Sequence, residues 1–356
     1  MPAGVDIATQ WAWRLIVLGV AGFGGAWLLR YFSEITVPLA IALLGAALTV
    51  RVVDRLQSHG VPRLAATFIV VIFMLLAFFG LLALVGQQLA TQIDDLRNNV
   101  VEGITQVQDW AMGAPLNLTD SQIQGYVDSA KETIASSDTS VVTRVSEVGT
   151  TLTHVLAGFF IALFAAFFFM YEGNRIWSWV VAIFPREARD KIDSAGHNAW
   201  NTLTQFVRAT VLVAFVDALG IAIAAWALGV PLSFAIGVLV FLGAFVPIIG
   251  ALLSGMVAVL VALVAQGPVV AMFMLIAVVV VQQIESHVLQ PFLMGRFVSV
   301  HPLAIILAIA GGIAVAGVVG ALVAVPLAAT LNGVVRHLVD RAQEFQDQPD
   351  EEAELA

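Results

Sequence analysis

The sequence predicts an all-α, polytopic membrane protein with about eight transmembrane helices, and three observations carry that prediction. Of 356 residues, 60% are apolar and 12% are charged, against roughly 45–50% and 25% in soluble domains. Mean hydropathy is +0.94. Several apolar runs exceed the roughly 18 residues that mark a bilayer-crossing helix. A disordered chain and an ordinary soluble enzyme are thereby excluded. The formal net charge of −9 leaves no basic field for nucleic acid. Cysteine is absent, which removes disulfides, thiolate catalysis and cysteine-ligated zinc.

The first run is Trp11–Leu29, with Trp11 and Trp13 at one end and Trp27 and Tyr31 at the other, as in interfacial aromatic belts. No basic cluster precedes it, so it does not read as a signal peptide. Pro38 predicts a turn before the second run, Val37–Val50, and Arg51, Asp54, Arg55 and Arg63 flank the next turn. Leu64–Val85 is the third run. From Gln87 to Thr150 the chain changes character, holding nine acids and three bases. Leu89, Ile93, Leu96, Val100, Ile104 and Val107 recur at helical spacing, which predicts an amphipathic helix and not a span. Gly113–Pro115 should break it, Thr119 or Asp120 should cap a second short helix, and Ser136–Ser140 should form a turn.

Val141, Val145, Val148, Leu152 and Val155 lead into a fourth span, Thr151–Tyr171. Glu172–Arg208 is polar, with five bases and four acids. The fifth span, Phe206–Leu228, stops at Gly229–Pro231. Two short runs, Leu232–Val246 and Ile248–Ala265, are broken around Pro247 and Gly250. Val269–Ile284 is a further span, and Glu285–His301 a connector. The last apolar stretch, Pro302–Leu331, is interrupted by Gly311, Gly312, Gly317, Gly320 and Pro326. The sequence thus divides into N-terminal transmembrane helices (1–86), an extracytoplasmic helical insertion (87–150), a transmembrane core (151–338) and an acidic, disordered tail (339–356). Arginines at 51–63 and the five bases of 172–208 belong in the cytoplasm by the positive-inside rule. That places the N-terminus inside and the acidic insertion outside.

Asp217 is the most informative single residue. It lies mid-span, where a charge costs about 2.5–3.5 kcal/mol on insertion scales, so it must face protein or water. Its helical neighbours Thr210, Ala214, Gly220 and Ala224 form a small-residue face that admits another helix. Arg208 falls on the opposite face. Asp217 reads either as a proton- or cation-coupling carboxylate or as a paired group that joins two helices. Gln282, Glu285 and Ser286 share one face at a span end, and Gln283, His287 and Gln290 another. Glu285 reads as a substrate or gate residue, or as the partner of Arg296 in a turn-fixing salt bridge. The breaks at Pro247–Gly250 and Gly311–Gly320 read as re-entrant hairpins, which offer free backbone groups at transport sites, or as kinked spans. The glycine run lacks the Gly-Lys-Ser/Thr of a phosphate loop. The histidines have no metal spacing, and His154 reads as a helix-end polar contact. No cofactor, metal or catalytic centre is expected.

Several ordered motifs resemble one family. They are Gln282–Pro291, then Met294-Gly295-Arg296, His301-Pro302-Leu303, the Gly311–Gly320 run, Ala324–Leu327, Phe245-x-Pro247-x-x-Gly250 and Val37–Ala40. Together with the arginine turn and the insertion after the third span, they resemble the autoinducer-2 exporter family of bacterial membrane permeases over nearly the whole chain. Ser286-His287 and Phe292 depart from the family pattern. The resemblance implies a multi-pass protein of the bacterial inner membrane that exports a small signalling or toxic molecule, or exchanges cations for protons. It also implies a homo-oligomer, with a pentamer as the first expectation. The expected pathway residues are Asp217, Glu285, Arg296, Gln282, Pro247, Gly250, Gly311 and Gly312. A non-transporting scaffold with an acidic outer domain is the rival from another class.

Overall fold

The computed structural model describes residues 3–112, 141–246, 249–289 and 301–354, with side chains placed over 9–92 except 15 and 18, 156–246, 249–289, 301 and 303–336. Among these residues the chain is helical throughout: α1 Ala3–Tyr31, α2 Ser33–Ser58, α3 Arg63–Met112, α4 Val141–Ala182, α5 Arg186–Ala227, α6 Ser233–Gly243, α7 Ile249–Gln266, α8 Pro268–Ile284 and α9 Pro302–Glu354. A π-helical turn, Glu285–Leu289, extends α8. Eight helices among the described residues are long and apolar enough to cross a membrane. Their outward side chains include Phe73, Leu76, Phe164 and Trp226, all exposed, an apolar surface that only lipid or protein could cover. Buried positions are mostly Ala, Val and Gly, the small residues that let membrane helices approach closely.

Several elements differ from the sequence expectation. Pro38 lies inside α2 and makes no turn before it. It is the sixth residue of α2, past the first turn, and the helix runs on through it with one ladder hydrogen bond fewer. The third apolar run and the amphipathic stretch after it are one unbroken 50-residue helix, about 75 Å long; no residue between them stops the helix. α4 continues past the predicted span end, with a non-helical residue at Glu172. The acidic tail is helical to Glu354. Extending an existing helix with Ala, Glu and Gln needs no new nucleus. The expected break at Gly113–Pro115, the cap at Thr119 or Asp120 and the Ser136–Ser140 turn lie outside the described residues.

The chain forms two compact units. One comprises Met1–Arg55, Leu156–Thr204 and Val300–Ala356. In it Thr49 Oγ1 donates to Met170 Sδ at 3.1 Å, and Asn198 Nδ2 donates to the Gly333 carbonyl at 3.1 Å. The Arg189 guanidinium caps α4, donating to the Ala182 carbonyl at 2.8 Å and to Phe184 at 3.0 Å. Trp177 Nε1 donates to Asp193 at 2.8 Å, while its ring covers Gly196. In α9 the backbone breaks at Ala316 and Gly317, where φ of Gly317 is 60°. A Cβ on Gly312 would strike the Gly320 carbonyl and lie 2.8 Å from Ala324 Cβ. Those residues would be far apart in a straight helix, so α9 doubles back as a helical hairpin.

The second unit comprises Leu56–Val155 and Gln205–Ser299. Its core joins Ala218, Ile221 and Ala225 of α5 to Ile236 and Val240 of α6, Ala258 and Ala262 of α7, and Ala271, Met274 and Val278 of α8. At 11 residues, α6 spans about 16 Å, too short for a hydrocarbon layer of about 30 Å. With α7 it makes a second helical hairpin. The two arms meet backbone to backbone, since a Cβ on Gly243 would lie 2.9 Å from the Gly250 carbonyl. Both interrupted runs therefore double back as hairpins, and α7, at 18 residues, is itself long and apolar enough to cross a membrane.

Candidate functional site

Asp217 is 2% exposed on the face of α5 that also carries Val213, Ala214, Ala218 and Ile221, all buried. It lies ten residues before the end of α5, about 15 Å along the axis. The small-residue face admits a neighbour, as the sequence predicts. A Cβ on Gly220 would sit 3.0 Å from Val281 Cγ2, so α5 and α8 approach almost backbone to side chain there. One turn earlier on α5 and one turn later on α8, the carboxyl of Asp217 stands beside the carboxyl of Glu285, close enough for the two to interact. The two helices therefore run antiparallel at this contact. Asp217 Oδ1 is buried without a hydrogen-bond partner.

Two ionised carboxylates can only accept hydrogen bonds. Two carboxyls side by side either share one proton between them or repel, as in other paired-carboxyl sites. The arrangement can thus take up or release a proton, and its oxygens are hard donors of the kind that coordinate cations. Among the described residues no group of three or more His, Cys, Asp or Glu side chains could hold a metal ion.

The π turn shapes the Glu285 side of the pair. The Glu285 amide is shared between the Val281 and Gln282 carbonyls. Ser286 Oγ donates to the Gln282 carbonyl at 2.9 Å, and His287 Nδ1 lies 3.1 Å from the Gln283 carbonyl. These side chains add contacts to carbonyls of the widened turn, that of Gln282 already accepting from the Glu285 amide. Gln282 and Glu285 are half-buried whereas Ser286 is exposed. The regular-helix expectation that all three share one face fails at Ser286, because a π turn advances fewer degrees per residue. The connector expected to begin at Glu285 is, in its first five residues, a continuation of the helix.

The predicted pathway residues divide into groups. Asp217 and Glu285 come together, with Gln282 one turn from Glu285. Gly250 belongs to the α6–α7 hairpin, where it backs onto Gly243. Gly312 backs onto Gly320 in the α9 hairpin, and Gly311 faces open space. Arg296 and Pro247 lie outside the described residues, and with Arg296 the expected Glu285–Arg296 bridge; among the described residues Glu285 stands beside Asp217. Sequence reasoning missed Gln88 and Gln92 of α3, which accept hydrogen bonds from the amides of Ala235 and Leu232. Their i, i+4 spacing at the end of an apolar run was the available signal.

The AI-2E family transporter profile matches residues 16–340. A chain of Mycobacterium tuberculosis, named by inference as a transport protein, is 38% identical, covering 92% of this chain and 90% of its own. The AI-2 transport protein of Escherichia coli is 22% identical over 84% of this chain and 85% of its own. A sodium-lithium/proton antiporter of Halobacillus andaensis is 23% identical over 86% of this chain and 90% of its own. The profile runs through both hairpins and through the helices that bear Asp217 and Glu285, and with its near-complete coverage the chain belongs to the AI-2E family of membrane transporters.

Proposed function

We propose that this protein is a proton-coupled secondary transporter of the bacterial inner membrane that exports a small molecule, with the Asp217–Glu285 pair as its proton carrier. The observation that carries this reading is the meeting of two carboxyls between apolar helices, Asp217 buried and Glu285 half-buried. Intramembrane ionisable groups mark ion and proton pathways, and one proton between two carboxyls is the simplest exchangeable load. The resemblance to an AI-2 transport protein supports a small polar signalling molecule as the solute. A second reading, cation/proton exchange, is supported by the oxygen-only donor set and by the likeness to a sodium-lithium/proton antiporter. In either reading the protomers assemble as a closed ring, a pentamer by the family resemblance, with the N-terminus in the cytoplasm.

The test is flux in proteoliposomes under an imposed pH gradient, followed with an entrapped pH dye. Gradient-driven movement of autoinducer-2 supports export. Collapse of the gradient on adding Na⁺ or Li⁺ supports exchange. Flux that ignores the gradient, and is unchanged in Asp217→Asn, overturns proton coupling. Intact membranes with no flux of any solute leave the scaffold reading.

A further inference from the structure

We infer that Gln88 and Gln92 of α3 are positioning residues that latch the α6–α7 hairpin shut against the Ala218–Ala222 flank of α5, next to Asp217, and that the latch opens during transport. The inference rests on the transport reading above. The first amides of any helix have no intrahelical acceptor and are ordinarily capped by a Ser, Thr, Asp or Asn side chain just ahead of them. At α6 that position holds Leu232, which makes no side-chain cap. Leu232 also adopts the left-handed conformation, with φ of 57°, the only described non-glycine residue to do so. A bulky side chain in that region is strained. The capping function is supplied by another helix. Gln92 Oε1 accepts from the Leu232 amide at 2.7 Å, and Gln88 Oε1 accepts from the Ala235 amide at 2.9 Å. The two glutamines lie one turn apart on α3, in the last turns of its membrane-crossing stretch.

The hairpin they hold has the features of a moving part. It is bounded by left-handed residues at both ends, Gly229 (φ 69°) and Leu232 before it and Gly267 (φ 84°) after it. Its arms are locked together by the Gly243–Gly250 backbone contact. Its base is closed by Gln266 Nε2, which donates to the Gly229 carbonyl at 2.7 Å. Its first arm packs on the flank of α5 next to Asp217: a Cβ on Gly237 would meet Ala222 Cβ at 2.9 Å and, at 3.3 Å, the carbonyl of Ala218, the residue that follows Asp217. A swing about the 229–232 and 267 segments would uncover that face. An ordinary N-cap would travel with α6. A cap on α3 must break when α6 moves and re-form when it returns, and the strain at Leu232 favours release.

The test uses the full chain in lipid nanodiscs and proteoliposomes. In the Gln88→Leu/Gln92→Leu protein, hydrogen exchange of the 232–237 amides should rise about tenfold, as expected for loss of a hydrogen bond, while 271–281 is unchanged. Proton leak under an imposed gradient should rise with it. Gln92→Glu keeps an acceptor and makes the bond charge-assisted, roughly twice as strong. It should preserve protection yet slow gradient-driven turnover by about threefold or more. Unchanged exchange in the double variant overturns the latch. Gln92→Glu turning over at the wild-type rate also overturns it, since a static cap predicts that result. A wild-type protein without gradient-driven flux would sink the transport reading, and the exchange comparison would still decide whether these glutamines hold the hairpin.

Discussion

Asp217 and Glu285 stand side by side because Gly220 has no side chain. Val281 occupies the space where a Cβ at residue 220 would stand, at 3.0 Å, and this sets the α5–α8 distance. The antiparallel register then brings residue 217 opposite residue 285. A hydrogen position on glycine, a methyl pair on valine and two carboxyls one turn away form a single construction. Its chemistry depends on its packing.

The carboxyls should therefore behave as a unit. Asp217→Asn and Glu285→Gln each keep size and an acceptor oxygen while removing the exchangeable proton. Each should reduce gradient-driven flux to background, and the double variant should be no worse than either single one. Proton-independent movement of solute down its own gradient should survive. Initial-rate assays on the four proteins check this, with size-exclusion profiles to confirm folded material.

The spacing can be perturbed without touching either carboxyl. Gly220→Ala should push Val281 back by a few tenths of an ångström, and Gly220→Leu should force the helices apart, at a cost of about 1–3 kcal/mol. Both should impair proton-coupled flux, the second severely. Val281→Ala removes the opposing methyls, so Gly220→Ala/Val281→Ala should recover most of the coupling lost in Gly220→Ala. Failure of that rescue would show that Gly220 matters for some reason other than this contact.

How much of this was legible in the sequence follows from the range of each signal. Asp217 stood out because a single charge in an apolar run is expensive wherever the helix packs, and the small face containing Gly220 announced a close neighbour. Which residue would meet Asp217 depended on helix register, which no local pattern encodes, so the sequence left its partner unnamed. The hairpins at Gly243–Gly250 and Gly312–Gly320 were legible as interruptions because α6 is too short to cross. Pro38 misled, since a helix can run on through a proline with one ladder hydrogen bond fewer. The Gln92–Leu232 cap joins residues 140 positions apart, and an uncapped Leu232 in sequence gives no hint of where its acceptor lies.

The hairpin glycines allow an internal comparison. A methyl at residue 312 would overlap the Gly320 backbone, whereas nothing lies within 4 Å of a methyl at residue 311. Gly312→Ala should open the α9 hairpin and cost about 3 kcal/mol or more, beyond the usual range for overpacking because backbone cannot move aside. Gly311→Ala should be neutral or stabilising by about 0.5–1 kcal/mol, from its lower backbone entropy. Thermal unfolding in detergent distinguishes them, and equal midpoints would mean the two arms of α9 are not in contact.

The orientation rests on charge that lipid can read. Segment 87–150 has nine acids against three bases, while 172–208 carries five bases and the turn at 51–63 three arginines. Lys and Arg near span ends are retained in the cytoplasm, and α3 and α4 lie between those two basic segments, an even number of crossings that returns the chain to the same side. The natural chain has no cysteine, so single introduced thiols report without background. In intact cells, Ser121→Cys should react with an impermeant maleimide and Lys191→Cys should react only after lysis. The reverse pattern would invert the whole molecule, placing the Gln88–Gln92 end of α3 on the cytoplasmic side and making the α6–α7 hairpin a cytoplasmic gate.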